Sequence, residues 1–158
     1  MSDATFEDGA EKPLRLKALD AEDLGVLSGF VQDAVFPGSE IKWDRGARRF
    51  AILLNRFRWE DASAAETRKR DYERVQSVLM IEDAMRVQTQ GVNARDADTV
   101  LSVLTVTFTA GEDGGGFVEL TLAGDGAIRV EVEALEVILK DVTRPYVAPS
   151  KAKPDHPS

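Results

Sequence analysis

The chain has 158 residues, of which 43% are apolar and 30% charged, with a formal net charge of -8 and a pI of about 4.7. That length fits one domain with a substantial core, and the acidic balance disfavours phosphate backbones and anionic lipid as main partners. The absence of cysteine removes disulfides, thiolate nucleophiles and cysteine-based metal sites.

The acidic N-terminus MSDATFEDGAEKP lacks the apolar stretch of a signal peptide. No apolar run approaches the roughly 18 residues of a membrane span, so the chain reads as cytoplasmic. Residues 1–12 read as a disordered acidic lead-in, 13–147 as one folded domain and 148–158 as a disordered proline-rich tail. The closing stretch RPYVAPSKAKPDHPS holds four of the six prolines and the only histidine, His156.

The elements follow in chain order. Alternation in LRLKAL, 14 to 19, predicts a strand. Asp20 is placed to cap a helix, with Glu22 and Asp23 in the first turn where backbone N–H groups favour negative charge. Leu24, Leu27, Val31 and Ala34 then recur at helical spacing, so one amphipathic helix is expected over 21–34. FPGS, 36 to 39, reads as a turn.

The rest reads as β. EIKW is a short strand, DRGAR a turn, and RRFAILLNRFRW a long strand that leaves the core at Asn55. The polar segment 60–71 reads as a loop or frayed helical turn. YERVQSVLMI, AMRVQTQ and TVLSVLTVTFT are further strands. FVELTLA and AIRVEVE form a hairpin around an Asp125-Gly126 turn. Its apolar face should hold Val118, Leu120, Leu122, Ile128, Val130 and Val132. Residues 134–142 fit helix or strand; we favour a strand entered by a bend at Ala134.

The expected fold is therefore α+β, mostly antiparallel, with about eight or nine strands. The sheet curls into a partial barrel or splits into two layers, with the single N-terminal helix covering one face. Bends at Glu82–Ala84 and Glu133–Leu135 mark where it turns. The block RFAILLNRFRWED…SVLMIEDAMRVQT resembles VLSVLTVTFTAGED…IRVEVEALEVILK, which raises an internal duplication.

The inventory excludes several chemistries. A lone histidine in a proline-rich tail gives no fixed imidazole for a Ser-His-Asp triad or a metal site. Glu82, Asp83, Glu131 and Glu133 are the candidate carboxylates. Glu131 and Glu133 read as a solvated strand face, whereas a catalytic acid needs burial or a close partner. GEDGGG is glycine-rich but joins two strands, without the helix N-terminus of a phosphate cradle. No catalytic residue, metal or cofactor is assigned.

One region departs from the acid balance. Arg45, Arg48, Arg49, Arg56 and Arg58 lie between Asp44 and Glu60, interleaved with Trp43, Phe57 and Trp59. Pleating puts Asn55, Phe57 and Trp59 on one face and Arg56 and Arg58 on the other, read here as core or rim against solvent. Arg49, Arg56, Arg58, Trp43 and Trp59 are the candidate ligand-binding residues. The leading expectation is a non-enzymatic protein-interaction or regulatory module, possible as a homodimer. The alternative is a binder of a small anionic ligand at this arginine–tryptophan cluster.

LRLKALDAEDLGVLSGFVQDAV, ARRFAILLNRFRWE and AIRVEVEALEVILKDV together resemble the bacterial domain of unknown function family 2948, from about Leu14 to Tyr146. The resemblance implies one full-length domain in a bacterial cytoplasm. It brings no activity, cofactor or functional residue.

Overall fold

In the computed structural model, residues 12–92, 98–147 and 153–154 are described. The expectations for residues 1–11, for most of the tail and for His156 lie outside them. The strands are β1 (Arg15–Ala18), β2 (Val35–Pro37), β3 (Ile41–Asp44), β4 (Arg49–Phe57), β5 (Glu73–Ile81) and β6 (Ala84–Gln90). They continue as β7 (Val100–Ala110), β8 (Gly116–Leu122), β9 (Ala127–Val132), β10 (Val137–Asp141) and β11 (Tyr146–Val147). The helices are α1 (Ala21–Phe30) and α2 (Ala62–Thr67).

The 11 strands form one open antiparallel sheet, nine of them in the order β1-β10-β5-β4-β2-β7-β8-β9-β6. β3 pairs with β4 beside β2, and β11 pairs with β5. The α+β antiparallel class is as expected. The strand count is higher because β2 and β11 were not foreseen, and α2 is a second helix.

Both turning points fall where the sequence put them. β5 leaves its ladder at Glu82 and re-enters the far part of the sheet as β6. β9 leaves at Glu133 and returns as β10. The two corners are tied reciprocally: Glu82 N donates to Glu136 O at 2.9 Å and Glu133 N donates to Asp83 O at 3.0 Å. Asp83 takes the left-handed conformation, φ 53°, which a short polar residue tolerates better than a bulky one. β4 pairs with β5 before the first corner, and β8 pairs with β9 before the second.

One core gathers the inward faces of both parts: Phe50, Ile52, Leu54, Leu79, Ile81, Val137 and Leu139 from one, Val103, Val106, Val118, Leu120, Ile128 and Val130 from the other. The hairpin face predicted from alternation is buried in full. Its turn differs by one residue: positive φ falls on Gly124 (77°) and Asp125 (67°), not on Gly126.

Helix α1 packs on β1 and β7. Its N-cap is as expected, the Asp20 carboxylate accepting from Asp23 N at 2.7 Å. The helix ends four residues early. Val31 and Ala34 are still fully buried, but Asp33 sits at φ 64° and turns the chain into β2. Strand β2 pairs Val35 with Asn55 and lays Val35–Pro37 along β7. The FPGS turn is thus a strand followed by a single 3-10 turn, Gly38–Glu40. Residues 137–141 are strand, as favoured.

Candidate functional site

The arginine-rich segment does not form one site. On β4 the inward parity runs Phe50, Ile52, Leu54 and then Arg56, because pleating sends every second residue to the same face. Arg56 is therefore 0% exposed and Arg58 4% exposed. The expectation that both point to solvent is wrong. A guanidinium buried this way needs full compensation, and it has it. Arg56 Nη1 and Nη2 donate to the Glu60 carboxylate at 2.9 and 2.7 Å. Its Nε and Nη2 reach Asp141 at 3.0–3.1 Å, and Nε also reaches Ser77 Oγ at 3.0 Å. Ser77 Oγ and Leu14 N then donate to Asp141 at 2.6 and 2.8 Å. Burial would lower the Arg56 pKa; the Glu60 and Asp141 partners outweigh it and leave the pKa raised.

Arg58 belongs to a neighbouring network. It donates to Glu73 at 2.6 Å and lies 3.7 Å from Asp61. Arg70 grips Asp61 bidentately, both contacts at 2.6 Å. Burial would raise the Asp61 carboxyl, but hydrogen bonds from Arg70 and the charges of Arg58 and Arg70 hold it below its ordinary 3.8. Asn55 completes this end of the sheet, donating to the Tyr146 hydroxyl and accepting from Arg74. The NRFRWE block is thus a polar clamp that ties β4 to β5, β10 and β11.

The other candidates disperse. Arg49 pairs with Glu82 at 2.6 Å on the surface. Trp59 stacks edge-on against Phe57, centroids 4.6 Å apart, and donates to Gln32 O at 3.0 Å. It lines a shallow apolar dish with Val26, Gly29 and Phe30. Of the five candidates only Trp43 lines the cleft described next.

That cleft has a volume of about 510 Å³. Trp43, Arg45 and Arg48, from β3 and the turn after it, form one wall; Ala84, Met85, Arg86 and Val87, from β6, form the other. The turn is built locally: Asp44 Oδ1 accepts from Ala47 N at 3.0 Å, and Arg48 takes φ 52°. It is tied to β6 by Ala84 N donating to Arg48 O at 2.9 Å. Arg48 pairs with exposed Glu133 at 2.7 Å. Arg45 and Arg86 have no carboxylate within ion-pair distance among the described residues. Among the described residues no acid lines the cleft. Sequence reading named Arg45 in the basic run but missed Arg86, because only the strand order brings β6 opposite β3.

A second hollow of about 390 Å³ adjoins it across Met85, lined by Glu112, Asp113, Glu131 and Glu133 with the β7–β8 loop. The glycines of that loop serve close packing. A Cβ on Gly115 would lie 2.8 Å from Val132 O, and one on Gly116 2.8 Å from the Phe108 ring. Among the described residues no group of three or more His, Asp or Glu side chains is placed to hold a metal ion. No helix among them is long and apolar enough to cross a membrane.

A family model, protein of unknown function DUF2948, matches residues 14–156. The chain belongs to the DUF2948 family. No curated protein and no solved structure matches it. Within this DUF2948 chain, the NRFRWE block coincides with the buried clamp, whereas the cleft lies at the opposite end of β4.

Proposed function

We propose that this DUF2948 protein is a non-enzymatic interaction module whose recognition surface is the arginine-lined cleft between β3 and β6. The observation that carries the reading is the contrast between the two basic groups. Arg56, Arg58 and Arg70 are spent on internal carboxylates, while Arg45 and Arg86 line a concave surface and have no carboxylate within ion-pair distance among the described residues. Uncompensated charge in a concave, partly apolar site favours an anionic partner.

A small anion in the same cleft is the second reading, supported by a volume within the range of ligand pockets, about 300–1,000 Å³. It uses Trp43 with Arg45 in place of Arg49, Arg56, Arg58 and Trp59. A cytoplasmic setting fits the acid balance, and nucleic acid remains a poor partner for a chain of net charge -8. Internal duplication is supported by the reciprocal corners, with β8–β9–β10 as the second unit.

Native mass spectrometry of tagged protein from expressing cells tests the module. We expect a bound species on the wild type that is absent from an Arg45→Glu twin of equal melting temperature. An unliganded monomer in both preparations refutes the reading, and the mass of any species separates a polypeptide from a small anion.

A further inference from the structure

We propose that β6 is a docking edge: an extended segment of another protein, carrying acidic side chains, adds beside it as a further strand. The proposal rests on the interaction-module reading and names its partner's chemistry.

The first argument is the state of the edges. A strand at a sheet edge presents a row of unpaired backbone N–H and C=O groups, and proteins guard such edges with short strands, charges or proline. β1 has four residues, two of them basic, Arg15 and Lys17. β3 has four, with Lys42 and Asp44. β6 has seven and a single charge, Arg86, followed by the uncharged run Val87–Gln90. Among the described residues its only ladder partner is β9. The bulge between Ala84 and Arg86 kinks the start of the strand and leaves that run regular.

The second argument is charge. The edge begins at the cleft, so a strand laid along β6 brings one end past Arg45 and Arg86. Carboxylates there gain charge-assisted hydrogen bonds; lysines there are repelled. An apolar side chain at that end meets Trp43 and Met85, the latter 45% exposed. In such strand addition the backbone ladder supplies affinity and the side-chain contacts supply specificity. A second copy of this chain is the poorer occupant: its β6, AMRVQTQ, offers another arginine and no carboxylate.

The test uses the full-length protein with Trp59→Phe, which leaves Trp43 as the one tryptophan reporter. The probe is a synthetic peptide with a threonine–valine centre and two glutamates at each end. Its controls are a lysine-ended twin and twins N-methylated at alternate amides. We expect the glutamate peptide to shift Trp43 emission and to slow amide exchange across Val87–Gln90 by about tenfold or more. Binding should weaken with added salt, and by about tenfold on Arg45→Glu. The lysine twin should not bind, and one N-methylated twin should lose the protection. A Trp43 response that survives both methylation patterns, without protection of β6, overturns strand addition and leaves the cleft reading intact. No response to any peptide overturns strand addition as well; the module reading is decided separately by the Arg45→Glu comparison above. Protection of β6 in peptide-free protein that fades on dilution identifies a second copy as the occupant and overturns the proposal.

Discussion

Arg56→Met removes the guanidinium that holds the clamp together and keeps most of the side-chain volume. Asp141, whose side chain is 3% exposed, and partly exposed Glu60 then lose their main donor. Asp141 keeps Ser77 Oγ and Leu14 N, which limits the loss without cancelling a buried charge. Removing one partner of a buried ion pair typically costs about 3–5 kcal/mol, against a total stability of roughly 5–15 kcal/mol. We expect a drop of that size in urea unfolding followed by circular dichroism. Adding Asp141→Asn should recover part of it, since the stranded charge is then gone and the two changes couple. Arg56→Lys covers the case where Arg56→Met does not fold: it should lose less, keeping the charge but not the two-sided fork. Arg49→Ala is the internal control, an exposed pair worth about 0–1 kcal/mol. Equal, small effects of Arg56→Met and Arg49→Ala, or strict additivity with Asp141→Asn, refute a buried clamp.

Two further outcomes follow from other parts of the molecule. The Asp61 carboxyl is held below its ordinary value in the folded state, so its contribution is complete above about pH 3.8 and is lost as pH falls through the lower folded value. Urea midpoints between pH 5 and pH 2 should therefore fall more steeply for the wild type than for Asp61→Asn; parallel curves would show that Arg70 does not hold Asp61 ionised. Gly116→Ala should cost about 1–3 kcal/mol by overpacking against Phe108 and the β7 backbone, and an unchanged melting temperature would show that the hairpin end relaxes freely.

Much of the fold was legible because local rules sufficed. The β8–β9 face and the Asp20 cap follow from local pattern, and the two corners show locally as breaks in strand alternation, although the bonds that tie them join distant residues. What was missed depended on distant partners. Arg56 shares parity with Ile52 and Leu54, so its burial was implied by the alternation; its charge pulled the reading the other way. The residue that makes burial tolerable, Asp141, lies 85 positions away, and only Glu60, at i+4, gave a local hint. The end of α1 was misplaced because Val31 and Ala34 are buried as a helix would bury them, yet there the chain turns at Asp33 and bonds to Val103 of β7 instead. The cleft was illegible for the same reason: Trp43 and Met85 meet only through the order of the strands.

The reciprocal corners constrain the order in which the chain can fold. β5 is covered by β10, and β9 is covered by β6, so the strand before each corner is paired by the strand that follows the other corner. β1 then pairs with β10, and Leu14 N bonds to a carboxylate 127 residues away. On a ribosome, β1 through β9 must wait for β10 before Arg56 meets Asp141. Such long-range closure predicts slow folding for the chain's size, with a nascent intermediate whose β5 edge stays open until the last strands emerge.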